Sequence, residues 1–312
     1  MSDTSPYVNS VFEQPWWLDI VAPGKWGEVF VKESDRVIAR FPYVLDKHKL
    51  VMPPLTQTLG PWIHPDYRQK QPGNTQTTLQ KEIIKELLSQ LPKHKSFNMT
   101  FDSSNTYILP YRWYGYSLSP LFSYRLSKLK DLDVVYENFN KTVKKNIKYA
   151  NNKVQVYKGL EPQVFYRLLS ETFKVQNRTY PHSEHLIKKI FQACLKYNSG
   201  YSLYAKDELN SIHATAFIIG DEQVHYYLLG GTAIAHRSSG AQNLLLWEAI
   251  KECSNTSKAF DFEGSMVEGI ENFFRQFGGD QVLNYNVSKL GLVDTLKAYY
   301  KPKVKKLIGY KL

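Results

Sequence analysis

The stretch from Tyr226 to Lys289, YYLLGGTAIAHRSSGAQNLLLWEAIKECSNTSKAFDFEGSMVEGIENFFRQFGGDQVLNYNVSK, decides the fold class, because its apolar pattern changes period at each turn signal. YYLLGG closes a strand, and Ser238, Ser239 and Gly240 make a turn. AQNLLLWEAIKECS repeats its apolar residues at helical spacing, AFDFEGS alternates, EGIENFFRQFG returns to the helical period and QVLNYNVSK alternates again. Upstream lie a strand, KVQVYKG, two helices, EPQVFYRLLSETFKVQN and HSEHLIKKIFQACLKYN, and a meander, YSLYAK, SIHATAFIIG and EQVHYYLLGG, with polar turns at Asp207 to Asn210 and at Asp221-Glu222. The order of strand, two helices, three-strand meander, helix, strand, helix, strand predicts an α+β fold, not a doubly wound parallel sheet. The glycine fingerprints of dinucleotide and P-loop sites are absent.

The N-terminal half predicts a short helix in FEQPWWLDIV and a hairpin in GEVFVKESDRVIARFPYVL. After the Pro-rich VMPPLTQTLGPWIHP comes a helix over 77–91, with Ile83, Ile84, Leu87 and Leu88 on one face and Pro92 closing it. Strands follow in SFNMTF and YILPYRWYGYSL, then one helix in DLDVVYENFNKTVKKNIKYANN, stopped by Asn151 and Asn152. The expected organisation is a domain over 1–150 that ends in this basic helix, a second over 151–290, and a basic tail over 291–312.

The 312 residues carry 40 Lys+Arg against 29 Asp+Glu, a net charge of +11, with 43% hydrophobic and 22% charged positions. That composition excludes disordered, collagenous and coiled-coil chains. No apolar run reaches the ~20 residues of a spanning helix, and MSDTSPYVNSVFEQP lacks the basic-then-apolar order of a secretory signal, so a cytoplasmic location is expected. Cys194 and Cys253 lack metal-ligand spacing and read as buried thiols, and the pair His182 and His185 has no third ligand, so no metal is expected. Six lysines lie between Asn138 and Leu160, where there is no acid, and six follow Asp294; without these twelve the chain is nearly neutral. Two local basic patches suit phosphate-rich partners, although a solvated helix face explains the first equally well. The tail KAYYKPKVKKLIGYKL interleaves tyrosine and aliphatic residues with lysine, a pattern suited to peripheral contact with an anionic membrane at the inner face. No nucleic-acid motif accompanies the patches, so DNA is not an expected partner.

Three constellations carry chemistry. Strand alternation puts Asp261 and Glu263 on one side and Phe260 and Phe262 on the other, so two carboxylates, Glu263 foremost, are placed to take a proton from an attacking ammonium; a structural role for both is the competing reading. HRSSGAQN, at the start of a helix, would hold phosphates on backbone N–H groups, or is simply a Ser-capped helix start. Trp62, Trp113, Tyr114, Tyr116 and Arg112 are aromatic-rich enough to line a sugar or nucleotide groove, and rings of this kind are more often core.

The order of elements resembles the GNAT acyltransferases, and the run from Tyr226 to Lys289 resembles the C-terminal domain of the Fem-type (FemABX) peptidyltransferases and related tandem-GNAT, BioF2-like proteins. Lys144-Lys145-Asn146-Ile147-Lys148-Tyr149-Ala150 is similar to the R-x-N-I-x-K-A motif of that family's linking helix, and a weaker similarity extends through YRWYGYSLSPLFSYRLSKLKDLDVVYENF and PPLTQTLGPW. The resemblance implies two GNAT-like domains, each a mixed, mostly antiparallel sheet flanked by helices. It implies a donor loop over Arg237, Ser238, Ser239, Gly240, Ala241, Gln242 and Asn243, with Gln242 where the superfamily's loop has a small residue. In FFRQFGG it makes Arg275 a cation beside the transfer centre, and it makes Tyr226 or Tyr227 an acid toward the leaving group, near His213 and His225 on neighbouring strands. Thr56, Gln57, Trp62, Arg112 and Lys145 become substrate contacts. The long coiled-coil arm by which some members bind tRNA is missing. The expected activity is acyl transfer from acyl-CoA, acetyl-CoA being the simplest, to an amine of a small-molecule, nucleotide-sugar or peptidoglycan-precursor acceptor of the cell envelope. An aminoacyl-tRNA-dependent Fem-type transferase and a non-catalytic binder of an anionic glycolipid precursor are the alternatives.

Overall fold

The structure is a computed structural model that describes residues 3–68, 75–174, 178–264 and 266–291. In chain order its elements are α1 (Pro15–Val21), β1 (Trp26–Glu33), β2 (Arg36–Asp46), β3 (Lys49–Leu50), β4 (Trp62–Ile63), α2 (Thr75–Gln90), β5 (Ser96–Phe101), α3 (Leu109–Trp113), β6 (Ser117–Leu126), α4 (Leu132–Glu137) and α5 (Lys141–Asn151). They continue with β7 (Gln155–Lys158), α6 (Pro162–Lys174), α7 (Glu184–Lys196), β8 (Gly200–Lys206), β9 (Ile212–Gly220), β10 (Val224–Thr232), α8 (Ala241–Thr256), β11 (Ala259–Asp261), α9 (Glu268–Arg275) and β12 (Asp280–Lys289). The expected α+β class is present.

The chain divides into two compact units. The N-terminal unit is built mainly from Ala22–Pro120. Its sheet runs β1, β2, β3, β5, with β4 on β2 and the second half of β12 paired antiparallel to β5 from Tyr285↔Phe101 to Lys289↔Phe97. The core between this sheet and α2 holds Phe41, Phe97, Phe101, Ile84 and Leu87. The segment YILPYRWYGYSL is not one strand: Pro110 opens the single-turn helix α3, where a missing N–H costs nothing, and β6 begins only at Ser117.

The C-terminal unit comprises chiefly Ser10–Val21 and Leu121–Leu283. Its sheet runs β6, β11, β10, β9, β8, β7. The predicted basic helix is two helices. Asn140 caps α5, its Oδ1 accepting from Thr142 N at 2.9 Å, and so ends the run that α4 began. The apolar stripe Val143, Ile147 and Ala150 then packs α5 into one core with Leu244, Leu245, Ala249 and Ile250 of α8 and with Phe260, Phe262, Phe274 and Phe277. This shared core is why α5, which the sequence reading assigned to the first domain, belongs to the second unit.

One feature of this sheet positions the site. β10 and β11 pair in parallel through Val224↔Ala259, His225↔Phe260 and Tyr226↔Asp261, joined by α8 as the crossover. Beyond Tyr226 and Asp261 the pairing stops: β10 continues along β9 to Thr232 with an irregularity between Tyr227 and Leu229, while β11 ends. A helix that follows β10 and returns to β11 starts at the carboxyl edge of the sheet, where groups that bind ligands collect in sheets with parallel strands.

Candidate active site

Glu263 is the second residue of the loop that leaves β11, after Phe262, and it has φ +61°. Gly264 follows at φ +59°, and a Cβ there would lie 2.1 Å from the Phe122 carbonyl oxygen, so glycine is required both for its dihedral and for the approach of β6. A left-handed glutamate costs about 1–2 kcal/mol and persists only where its surroundings hold it. The holder is Asp261. Its Oδ1 accepts from Glu263 N at 2.8 Å and from the Ser123 hydroxyl, and its Oδ2 accepts from Arg125 Nε at 2.8 Å. Asp261 is fully buried and the Arg125 side chain is 17% exposed, which makes this a largely desolvated, hydrogen-bonded ion pair. Alternation therefore holds as far as Phe262, whose ring joins the core with Phe260, and fails at Glu263.

The Glu263 Oε1 atom is buried and has no hydrogen-bond partner among the described residues. Burial, and secondarily the negative charge of Asp261, raises this carboxyl well above its ordinary value of 4.5. The structure therefore separates the two carboxylates that the alternation paired: Asp261 is the hydrogen-bonded organiser, and Glu263 leans toward the protonated form. A group of that kind gives a proton to a leaving atom more readily than it takes one from an ammonium.

Arg275 is not beside it as an uncommitted cation. It lies exposed on α9, donating from Nε to Glu271 Oε1 and from Nη2 to Asn272 Oδ1, both at 2.9 Å, while Tyr124 Oη donates to the same Glu271 oxygen at 2.5 Å. Tyr226 is buried against Phe12 at 4.9 Å between ring centroids and faces no opening. Its neighbour Tyr227 accepts at Oη from Gln242 Nε2 at 3.0 Å, and burial raises its hydroxyl far above the tyrosine range. Neither tyrosine is placed as a leaving-group acid. His213 and His225 stand at opposite ends of β9 and β10, since Ala233 N bonds His213 O while His225 pairs with Gly220. Burial lowers His225 to about 4, which keeps it neutral. Cys253 is buried and pushed up to about 12, as an inert thiol would be.

The turn expected to hold the donor is a short 3-10 segment, Ile234–Ser239, ending at Gly240 with φ +74° before α8 begins. Arg237 and Ser238 are exposed, Ser239 is buried, and Ser239 Oγ accepts from Ala241 N at 3.3 Å. A Cβ on Gly240 would lie 2.5 Å from the Asn146 carbonyl oxygen of α5, and Asn146 Nδ2 donates to Asn243 Oδ1 at 3.1 Å. The structure thus brings together two motifs that lie far apart in sequence, the turn and the basic helix. Gln242 is tied back by Tyr227 and, at 3.4 Å, by Thr232 Oγ1. Gly240→Ala should destabilise the chain by about 2 kcal/mol or more, because the left-handed dihedral and a backbone clash add. Urea unfolding measures this, and an unchanged midpoint would show that α5 does not seal the turn.

Lys145 is exposed on α5, next to Lys144, which pairs with Glu137 at 2.8 Å. The remaining predicted contacts belong to the N-terminal unit. Thr56 Oγ1 donates to Pro54 O at 3.0 Å, Gln57 is half-buried beside it, and Arg112 is exposed on α3. Trp62 is buried on β4 with Tyr7 at 5.2 Å, a core ring and not a groove lining. Among the described residues no cluster of three His, Cys, Asp or Glu side chains could hold a metal, and no helix is long and apolar enough to cross a membrane. The basic tail lies outside the described residues.

The chain folds as FemX does. The match to the crystal structure of FemX has a TM-score of 0.69 at 11% identity and covers 95% of this chain and 96% of that one. The C-terminal domain (DUF2156) of a putative lysylphosphatidylglycerol synthetase from Agrobacterium fabrum matches with a TM-score of 0.54 at 10% identity, over 90% and 89% of the two chains. L-PGS from Bacillus licheniformis matches with 0.53 at 14% identity, over 91% and 90%. No protein-family model and no curated protein matches the sequence. The likeness is therefore one of fold, and it extends along nearly the whole chain, FemX included.

Proposed function

We propose that this chain transfers an acyl group from an activated ester or thioester to an amine, with Glu263 as its proton-handling group. The observation that carries the reading is a half-buried glutamate on a strained backbone, its Oε1 buried and unpartnered among the described residues and its carboxyl shifted toward the protonated form, at the carboxyl edge of a parallel strand pair. The amine forms the new C–N bond as the bond to the leaving oxygen or sulfur breaks. Glu263 gives its proton to that leaving atom and is reprotonated by the proton the attacking nitrogen sheds. The FemX-like fold supports a transferase, and the neighbour named as a putative lysylphosphatidylglycerol synthetase favours an aminoacyl cargo and an envelope acceptor.

The donor we favour is aminoacyl-tRNA. The Asn146 carbonyl backs the turn and Gln242 is held by neighbours, which leaves Arg237 and Ser238 as its outward groups. Lys141, Lys145 and Lys148, by contrast, are all exposed on the adjoining α5 and suit a long polyanion better than one diphosphate. Acyl-CoA is the second reading, supported by those two exposed residues at the start of the sixteen-residue α8.

Single-turnover assays of the full chain with aminoacyl-tRNA or acetyl-CoA, and with UDP-linked muropeptide or amino sugars as acceptors, test the proposal. Transfer from aminoacyl-tRNA that falls steeply with salt is expected. Transfer from acetyl-CoA alone would reverse the donor, and binding of both without transfer would make the chain a binder. In the same assay Arg275→Gln should leave the melting temperature unchanged, as befits a solvent-exposed pair, and lower kcat only if Arg275 leaves Glu271 to meet the substrate. An unchanged kcat removes Arg275 from the transfer step.

A further inference from the structure

A cleft of about 610 Å³ lies in the C-terminal unit, away from Glu263. It is lined by the end of α5 and the start of β7 (Asn151, Asn152, Lys153, Gln155, Tyr157), by the β8–β9 turn (Lys206 to Asn210), and by His213 and His236. The two imidazoles stack, with centroids 3.7 Å apart and planes 7° from parallel. His213 is 5% exposed; its Nε2 faces Asp207 Oδ2 at 3.2 Å, and its buried Nδ1 has no partner among the described residues.

We propose that this cleft is a ligand site for a small hydroxylated phosphoester, such as a sugar phosphate or a nucleoside monophosphate. The placement of two ammonium groups selects the anion. Asp207 is committed: its Oδ1 accepts from Leu209 N at 3.0 Å and Ser211 N at 2.8 Å, its Oδ2 faces His213, and these bonds, the one from Ser211 N foremost, hold its carboxyl below the usual range. The lining thus holds two carboxylates and two ammonium groups, and with Asp207 turned to these bonds the ammonium groups of Lys153 and Lys206 stand at the rim with Glu208. Both are held in place over rings, Lys153 at 4.3 Å from Tyr149 and Lys206 at 4.7 Å from Tyr157, and Lys206 also donates to Asn210 Oδ1 at 2.9 Å. Ammonium groups fixed in this way lose little freedom on meeting a phosphate.

The hydroxyl groups of the ligand follow from the rest of the lining. An imidazole that donates from Nε2–H to Asp207 presents a lone pair at Nδ1, which accepts from a hydroxyl and repels a bare phosphate oxygen. Buried polar atoms without a partner call for an occupant, and a hydroxyl entering as His236 slides along the stack supplies it. The side-chain amides of Asn151, Asn152, Gln155 and Asn210 both donate and accept, as vicinal hydroxyls do.

Titration calorimetry of the full chain with glucose 1-phosphate, AMP and glucose tests this, since none of the three is an acyl donor and a failed transfer assay leaves the result intact. Glucose 1-phosphate or AMP should bind, the tighter one naming the source of the phosphoester, and glucose should bind at least about tenfold more weakly. Lys153→Met with Lys206→Met should weaken binding by about tenfold or more, whereas Lys188→Met, an exposed lysine of α7, should not. Because His213→Gln is a core substitution that can impair folding, the imidazole resonances of the unaltered protein are the second readout, and those of His213 and His236 should shift during the titration. No binding, equal loss in Lys188→Met, or unmoved histidine resonances would each overturn the site.

Discussion

Glu263→Gln should reduce acyl transfer by about 10²–10⁴-fold, the usual contribution of a positioned acid, while leaving the protein folded. Glutamine keeps the shape of the protonated side chain and the contact of its backbone N–H with Asp261, and it removes only the transferable proton. In the unaltered protein the alkaline limb of kcat should report the raised carboxyl, because in the proposed reaction the acid form gives the proton. That limb should vanish in the variant. Full activity in Glu263→Gln would reject the role assigned here.

The same shift has a sign in stability. The folded carboxyl binds its proton at higher pH than the unfolded one, so the native state holds more protons between the two values. Stability is complete below the unfolded value near 4.5 and is lost as pH rises through the folded value. Glu263→Gln lacks this loss, so its advantage over the unaltered chain should grow from about pH 4.5 upward in urea titrations, where a carboxyl begins to ionise in the unfolded chain. A constant difference at every pH would mean that Glu263 is not buried as an acid.

Much of the fold is legible because it rests on periodicities within one segment. The stripe Val143, Ile147, Ala150 and the alternation through Phe260 and Phe262 each announce a buried face without knowledge of what covers it. The errors come where local signals agree with the wrong element. Tyr107 to Tyr116 is aromatic and alternating like a strand, yet Pro110 starts a helix there, and Asn140 reads as one more polar helix position until its side chain is seen to cap. The site is less legible for a different reason. Asp261 is bound by Ser123 and Arg125, which lie 138 and 136 residues away, and His213 meets His236 across the turn of a meander. No spacing rule within a single chain predicts such pairs. The Glu263-Gly264 dipeptide at a strand end was the available sign of a left-handed turn, and alternation concealed it.

Asp261 should matter more to folding than Glu263. Asp261→Ala removes a charged partner of Arg125, the acceptor of the Ser123 hydroxyl and the acceptor of Glu263 N–H at once. Breaking a buried ion pair on one side costs about 3–5 kcal/mol, chiefly because the surviving charge stays desolvated, and that is a large part of the 5–15 kcal/mol that holds a typical domain together. The melting temperature should fall by roughly 10 °C. Pairing Asp261→Asn with Arg125→Met removes both charges while retaining an acceptor for Glu263 N–H, so the double variant should recover part of the lost stability, because no uncompensated ion remains. It should also regain the alkaline limb of kcat if the bond to Glu263 N–H is what holds the left-handed turn. Asp261→Ala within about 1 kcal/mol of the unaltered chain, a typical effect for an ordinary substitution, would show that the turn stands without its clamp.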